Sequence, residues 1–204
     1  MAVVMQGAEN NLVSRVYGNG RGWAFSRKDF KDLGEGSTIG WNLMQLEDSG
    51  TIRRVLRGVY DYPRYSELLQ APLSPDIDSV AQALARKFGW RIQPDGEMAL
   101  HLIGLSTQVP AKAIYLSDGP KRSYTIGQTS LVFRHATLKE AGFKHRESGL
   151  IVQALRALGQ ERIDDTVKVK IRAWLPERLR ARVRKDTQRA TGWVHEVIVE
   201  ITNE

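Results

Sequence analysis

Residues 37–63, STIGWNLMQLEDSGTIRRVLRGVYDYP, change their hydrophobic period midway. Ile39, Leu43 and Leu46 lie on one stripe at helical spacing, and Gly50 closes the run. From Thr51 onward the β-formers Ile52, Val55, Val59 and Tyr60 take over, with Leu56-Arg57-Gly58 where a tight turn belongs. The expectation is a helix over residues 37–49, capped by Ser37, followed by a two-stranded ribbon. Upstream, Leu12 and Val16 mark a first helix that stops at Gly18, Gly20 and Gly22, and Trp23 and Phe25 then enter as core anchors. Ser26 caps a short second helix, with Asp29 at the third position of a capping box and Phe30 and Leu33 on its apolar side. Helix, short helix, glycine-containing turn, helix and ribbon within about sixty residues is the order of a winged helix-turn-helix, whose third helix enters the major groove.

Downstream of the ribbon, Pro63, Pro72 and Pro75 break regular structure, and a domain seam is expected across residues 65–78. It separates a DNA-binding domain at residues 1–70 from a second domain at 76–204. That second domain is expected to open with a helix at 77–88 capped by Asp76, a short strand at 90–92 and a helix at 95–103. A loop, GLSTQVP, follows, then a three-stranded sheet from segments 113–116, 123–126 and 131–133. A helix from Gly149 and two or three more over 163–201 complete it. The fold class is therefore α+β: an N-terminal winged helix-turn-helix followed by a mixed α/β domain with a small sheet and C-terminal helices.

Composition narrows the function. The 204 residues are 42% hydrophobic and 26% charged, which supports a packed core rather than disorder. A mean hydropathy of -0.36 and the lack of a long apolar run argue against a membrane span. The opening MAVVMQGAENN lacks the basic and apolar parts of a signal peptide, so a cytoplasmic protein is expected. Zero cysteines exclude disulfides and thiolate metal sites, and four scattered histidines leave little for a histidine centre. No nucleophile elbow, Walker loop or H-E-x-x-H occurs, and Glu97 with His101 reads as a surface pair on a helix. Neither an enzyme nor a bound cofactor is expected.

Thirty basic against 23 acidic residues give a net charge of +7, which favours a polyanionic partner. On the third helix, about 100° per residue turns Thr38, Trp41 and Gln45 outward with Asn42 on the flank. Gln and Asn suit an adenine edge, and Thr suits a thymine methyl, so these four are the base-reading candidates. Arg53, Arg54 and Arg57 on the ribbon, Arg27 and Lys28 on the short helix, and the helix start at Ser37 are the phosphate-contact candidates. Arg178, Arg182, Lys185 and Arg189 follow i, i+4, i+7, i+11 with Leu179 and Val183 inward. They form either a second nucleic-acid surface or a solvated helix face.

The phrases GTIRRVLRGVYDYPRYSELL, ALARKFGWRIQPDG, HLIGLSTQVPAKAIYLSDG and GLIVQALRALG resemble the AbiEi-like antitoxins of type IV toxin-antitoxin systems, over roughly residues 12–159. The resemblance implies an N-terminal winged helix and a C-terminal antitoxin domain. It also implies repression of its own operon through inverted repeats, and neutralisation of a nucleotidyltransferase-like toxin without a stable complex, in systems of abortive infection and phage defence. It puts the recognition helix at residues 37–49 and the wing at Arg53, Arg54 and Arg57. The chain departs from its relatives in carrying Trp41, Asn42 and Gln45 followed by Glu47 and Asp48, where they carry more basic residues. The alternative is a protein-interaction module that binds the toxin directly, with DNA binding secondary.

Overall fold

A computed structural model describes residues 2–137 and 143–203, with side chains from residue 11 onward. The fold is mixed α and β and packs as two compact units. One comprises residues 1–90 with 125–129, and the other residues 91–124 with 130–204.

The first unit opens with α1 (Ala2–Asn19), which buries Leu12 and Val16 and ends at the left-handed Gly20. A short strand, β1 (Ala24–Phe25), leads into a 3-10 turn over Arg27–Phe30. The Asp29 carboxylate accepts the Ser26 backbone N–H at 2.8 Å, the reach-back half of a capping box. Helix α2 (Gly36–Asp48) follows, and Gly50, at φ 71°, turns the chain into β2 (Arg53–Leu56). β3 (Val59–Asp61) pairs antiparallel with β2 through a turn at Gly58 and with β1 on its other edge, giving the order β1-β3-β2.

The core of this unit is Leu12, Val16, Phe25, Phe30, Ile39, Leu43 and Ile52, with Trp23 and Tyr60 packed against it. Phe25 lies edge-on to Phe30 at 5.4 Å and stacks on Tyr60 at 6.2 Å, which ties the 3-10 turn to the ribbon. The proline-rich stretch is not structureless: β4 (Tyr65–Ser66) and β5 (Ala71–Pro72) form a small hairpin. Helix α3 (Ile77–Phe88) starts at Asp76, whose carboxylate accepts the Ser79 N–H at 2.8 Å, and stops at Gly89 in the left-handed region. Its expected limits hold, but its expected domain does not. Ser79 Oγ accepts the Ala24 N–H at 2.7 Å, and Arg86 donates to the Ala24 carbonyl, so α3 belongs to the first unit.

In the second unit, β6 (Ile92–Pro94) is followed by α4 (Gly96–Ile103), capped by Asp95. β7 (Lys112–Ser117), β8 (Arg122–Ile126) and β9 (Thr129–His135) extend the sheet to four strands in the order β6-β7-β9-β8, with β7 and β9 parallel. The expected three-stranded sheet thus lacked β6, which lies two residues later than the strand expected at 90–92. The short run Ile92-Gln93-Pro94 carries no alternation from which to fix its limits. Helices α5 (Arg146–Leu158), α6 (Asp165–Trp174), α7 (Glu177–Asp186) and α8 (Gly192–Asn203) enclose a core that includes Leu150, Leu155, Ile171, Val183, Val194 and Ile198. No helix among the described residues is long and apolar enough to cross a membrane.

Candidate nucleic-acid interface

Burial of Ile39 and Leu43 fixes the rotation of α2, and the opposite face is open to solvent. Trp41 and Met44 are each 44% exposed there, Ser37, Gln45 and Asp48 are exposed, and Thr38 is half-buried. Asn42 does not belong to this face. It is 2% exposed, and its Oδ1 is buried without a hydrogen-bond partner. The expected flank position is on the core side, next to the buried Leu43. Ser37 is also displaced from its expected role. The N-cap residue is Glu35, which makes no side-chain cap bond, and Ser37 sits inside the first turn.

The ribbon arginines differ sharply. Arg53 is bound on three sides: Nε and Nη2 donate to the buried Asp61 carboxylate at 3.0 and 2.6 Å, and Nη1 donates to the Leu73 carbonyl at 3.0 Å. It is a structural ion pair, not a free phosphate ligand. Counting outward from the Gly58 turn would set Arg54 opposite Asp61, but an irregularity between Arg54 and Leu56 shifts the register by one residue and brings Arg53 there instead, which no local sequence signal marks. Arg54 donates to Glu47 at 2.8 Å and lies over the Tyr60 ring. The hydrogen bond that it donates to Glu47, then the electrostatic influence of Tyr60 and Glu47, holds its pKa above the ordinary guanidinium value. Arg57, at the turn, is exposed, and its backbone carbonyl accepts Lys87 Nζ at 2.7 Å.

Arg27 and Lys28 both project from the 3-10 turn. Arg27 leans on the start of α2, donating to the Gly36 carbonyl at 3.4 Å. Lys28 Nζ donates to the Lys87 carbonyl at 3.4 Å. Two further cations line the same cleft and were absent from the sequence reading. Lys31 stands one helical turn beyond Arg27, a spacing that offers a weak signal. Lys87 arrives from α3, and nothing local in the sequence connects it to residue 57.

In the second unit, Arg178, Arg182 and Lys185 are exposed along α7, with Val183 buried and Leu179 half-buried beneath them. Arg189 is exposed but lies past the helix, which ends at Asp186, so the stripe is one residue shorter than its spacing promised. Asp186 does not neutralise the stripe, since its carboxylate accepts the Lys144 and His145 N–H groups at the start of α5. Among the described residues, no group of three His, Asp or Glu side chains is placed to hold a metal ion.

Residues 12–183 match the profile of a family of unknown function, DUF6088, and the chain belongs to that family. No curated protein matches it. Among solved structures it is similar to the RV2827C protein from Mycobacterium tuberculosis, at 12% sequence identity and a TM-score of 0.36, over 89% of this chain and 71% of that one.

Proposed function

We propose that the chain is a sequence-specific DNA-binding repressor and the antitoxin of a type IV, AbiE-like toxin-antitoxin pair. In this reading it acts in the cytoplasm without an enzymatic step, and residues 1–90 act as a winged helix-turn-helix. The observation that supports it is the outer face of α2, where Ser37, Trp41 and Gln45 stand open to solvent beside a cleft walled by cations. Gln45 offers an amide to a base edge and Trp41 an apolar face to a thymine methyl. The resemblance of residues 12–159 to AbiEi-like antitoxins supports the remainder: autoregulation through inverted repeats, and opposition to a nucleotidyltransferase-like toxin. The test is fluorescence anisotropy with the DNA upstream of its own gene and with a shuffled duplex, at about 150 mM salt. A preference of about a hundredfold supports the reading, and equal weak binding to both duplexes overturns it.

One observation favours a second reading, a module that binds the toxin itself. The hairpin loop between β4 and β5 exposes Leu68 at 93% and Leu69 at 66%, next to Tyr65 at 49%. Clustered apolar side chains of this kind mark contact surfaces. Co-purification of the two proteins that survives high salt and is lost on Leu68→Ser would favour it.

A further inference from the structure

The first unit has two clefts lined by cations, and they differ in where the counter-charge sits. In one, of about 590 Å³, three of the four arginines carry a carboxylate partner, Arg53 with Asp61, Arg54 with Glu47 and Arg64 with Asp76, and the fourth, Arg21, donates to the Pro63 carbonyl. In the other, of about 660 Å³, Arg27, Lys28, Lys31, Arg57 and Lys87 converge, and no Asp or Glu contributes to the lining. None of these five cations forms an ion pair among the described residues. The two carboxylates interleaved with them in sequence are spoken for, because Asp29 pairs with Arg86 at 2.6 Å and Asp32 with Arg15 at 2.7 Å.

Like charges gathered without counter-charge repel one another, and the repulsion is felt here. Burial first, and the neighbouring Arg57 second, hold the Lys87 ammonium below its ordinary pKa. Lys87 is nevertheless held in place, its Nζ donating to the Arg57 carbonyl at 2.7 Å. The rim also contains Gly36, the first residue of α2, a helix with no side-chain cap on its N-terminal N–H groups. The floor is apolar, formed by edges of Ile39, Leu43 and Tyr60.

We propose that this cleft is a phosphate-binding site, in which Lys31 and Lys87 join Arg27, Lys28 and Arg57 around phosphate groups of a nucleotide. Five donors of positive charge and the uncapped helix start match the oxygens of a phosphate ester, and the bound anion relieves the repulsion. The phosphate has two possible sources. One is the backbone of a DNA duplex lying along α2, a source that rests on the DNA-binding reading. The other is a free nucleoside triphosphate, which does not.

The test uses the full chain, the double variant Lys31→Gln/Arg57→Gln, and a control of equal charge change, Lys112→Gln/Lys121→Gln, placed on exposed residues of the second unit. Thermal melting establishes that all three are folded. Each is titrated with a random-sequence duplex by anisotropy and with ATP by calorimetry, at about 50 mM salt. The cleft variant is expected to lose at least about tenfold in affinity for whichever phosphate the wild type binds. For the duplex, its salt slope should fall by about two, as two phosphate contacts disappear, while the control stays near wild type. Loss for the duplex alone identifies the backbone as the source. Loss for ATP, with no duplex binding by the wild type, keeps the site and removes the DNA-binding reading. Equal losses in cleft and control variants, or no binding of either probe by the wild type, overturn the site. A cleft variant that binds the duplex like wild type while Gln45→Ala does not overturns the site and leaves the DNA-binding reading standing.

Discussion

Arg53 grips Asp61 across the ribbon with two parallel hydrogen bonds, Nε to Oδ1 at 3.0 Å and Nη2 to Oδ2 at 2.6 Å. The carboxylate side chain is only 2% exposed, against 31% for the arginine, so removing Arg53 strands a buried negative charge. Arg53→Ala should therefore destabilise the protein by about 3 kcal/mol, seen as an earlier thermal transition. Arg57→Ala, at an exposed turn, should leave the transition within about 0.5 kcal/mol of wild type. Equal melting of the two variants would return Arg53 to the phosphate contacts.

Asn42 tests the rotation of α2 from the opposite side. Its Oδ1 is buried without a partner, so the folded state carries the desolvation cost of an amide oxygen that it leaves unpaired. Asn42→Leu should keep or raise the melting temperature and leave DNA sequence preference unchanged, whereas Gln45→Ala should alter that preference. Competition binding with a panel of single-base operator variants reads both. A changed preference in Asn42→Leu would mean that the helix turns its other face to the bases.

The difference between Asn42 and Asp76 shows what the sequence could and could not convey. A capping aspartate acts three residues away, on Ser79, so Asp76 announced the start of α3 without knowledge of the fold, whereas Asp95, expected inside its helix, proves to be the cap of α4. The ribbon was readable because Gly58 supplies the left-handed turn residue between two β-forming runs. Asn42 sits at the margin of the apolar stripe, where burial is decided by tertiary packing and not by local spacing. Lys87 lies 30 residues from the carbonyl it meets, and α3 joins the first unit through Ser79 and Arg86 bonds of still longer range. Local periodicity carries no trace of such pairings, so the cleft had to be found in three dimensions.

Gly96 makes the packing of α4 on α5 testable. A Cβ at this position would lie 2.5 Å from the Ala157 Cβ, closer than two methyl groups can approach. Gly96→Ala should therefore force the two helices apart and cost about 1–3 kcal/mol, despite alanine's better helix propensity. Adding Ala157→Gly should recover part of that loss. Chemical denaturation of the two single variants and the double variant gives the coupling, and additive effects would sink the close approach.

Acid provides an independent test at the start of the first unit. Arg15 holds Asp32 through two hydrogen bonds of 2.7 Å, and that contact, helped by the residue's own backbone, brings the carboxyl pKa from 3.8 down to about 2. Between those values the unfolded chain binds more protons at this group than the folded one, so stability must rise with pH there. The contribution is present above pH 3.8 and disappears as the pH falls through 2. Asp32→Asn removes it at every pH. Wild type should melt above the variant at neutral pH, and the two should converge near pH 2. The pair is exposed to solvent, so the gap at neutral pH should be only about one or two degrees, and high salt should narrow it. A gap that persists undiminished at pH 2 would show that Asp32 stabilises the fold by something other than its charge.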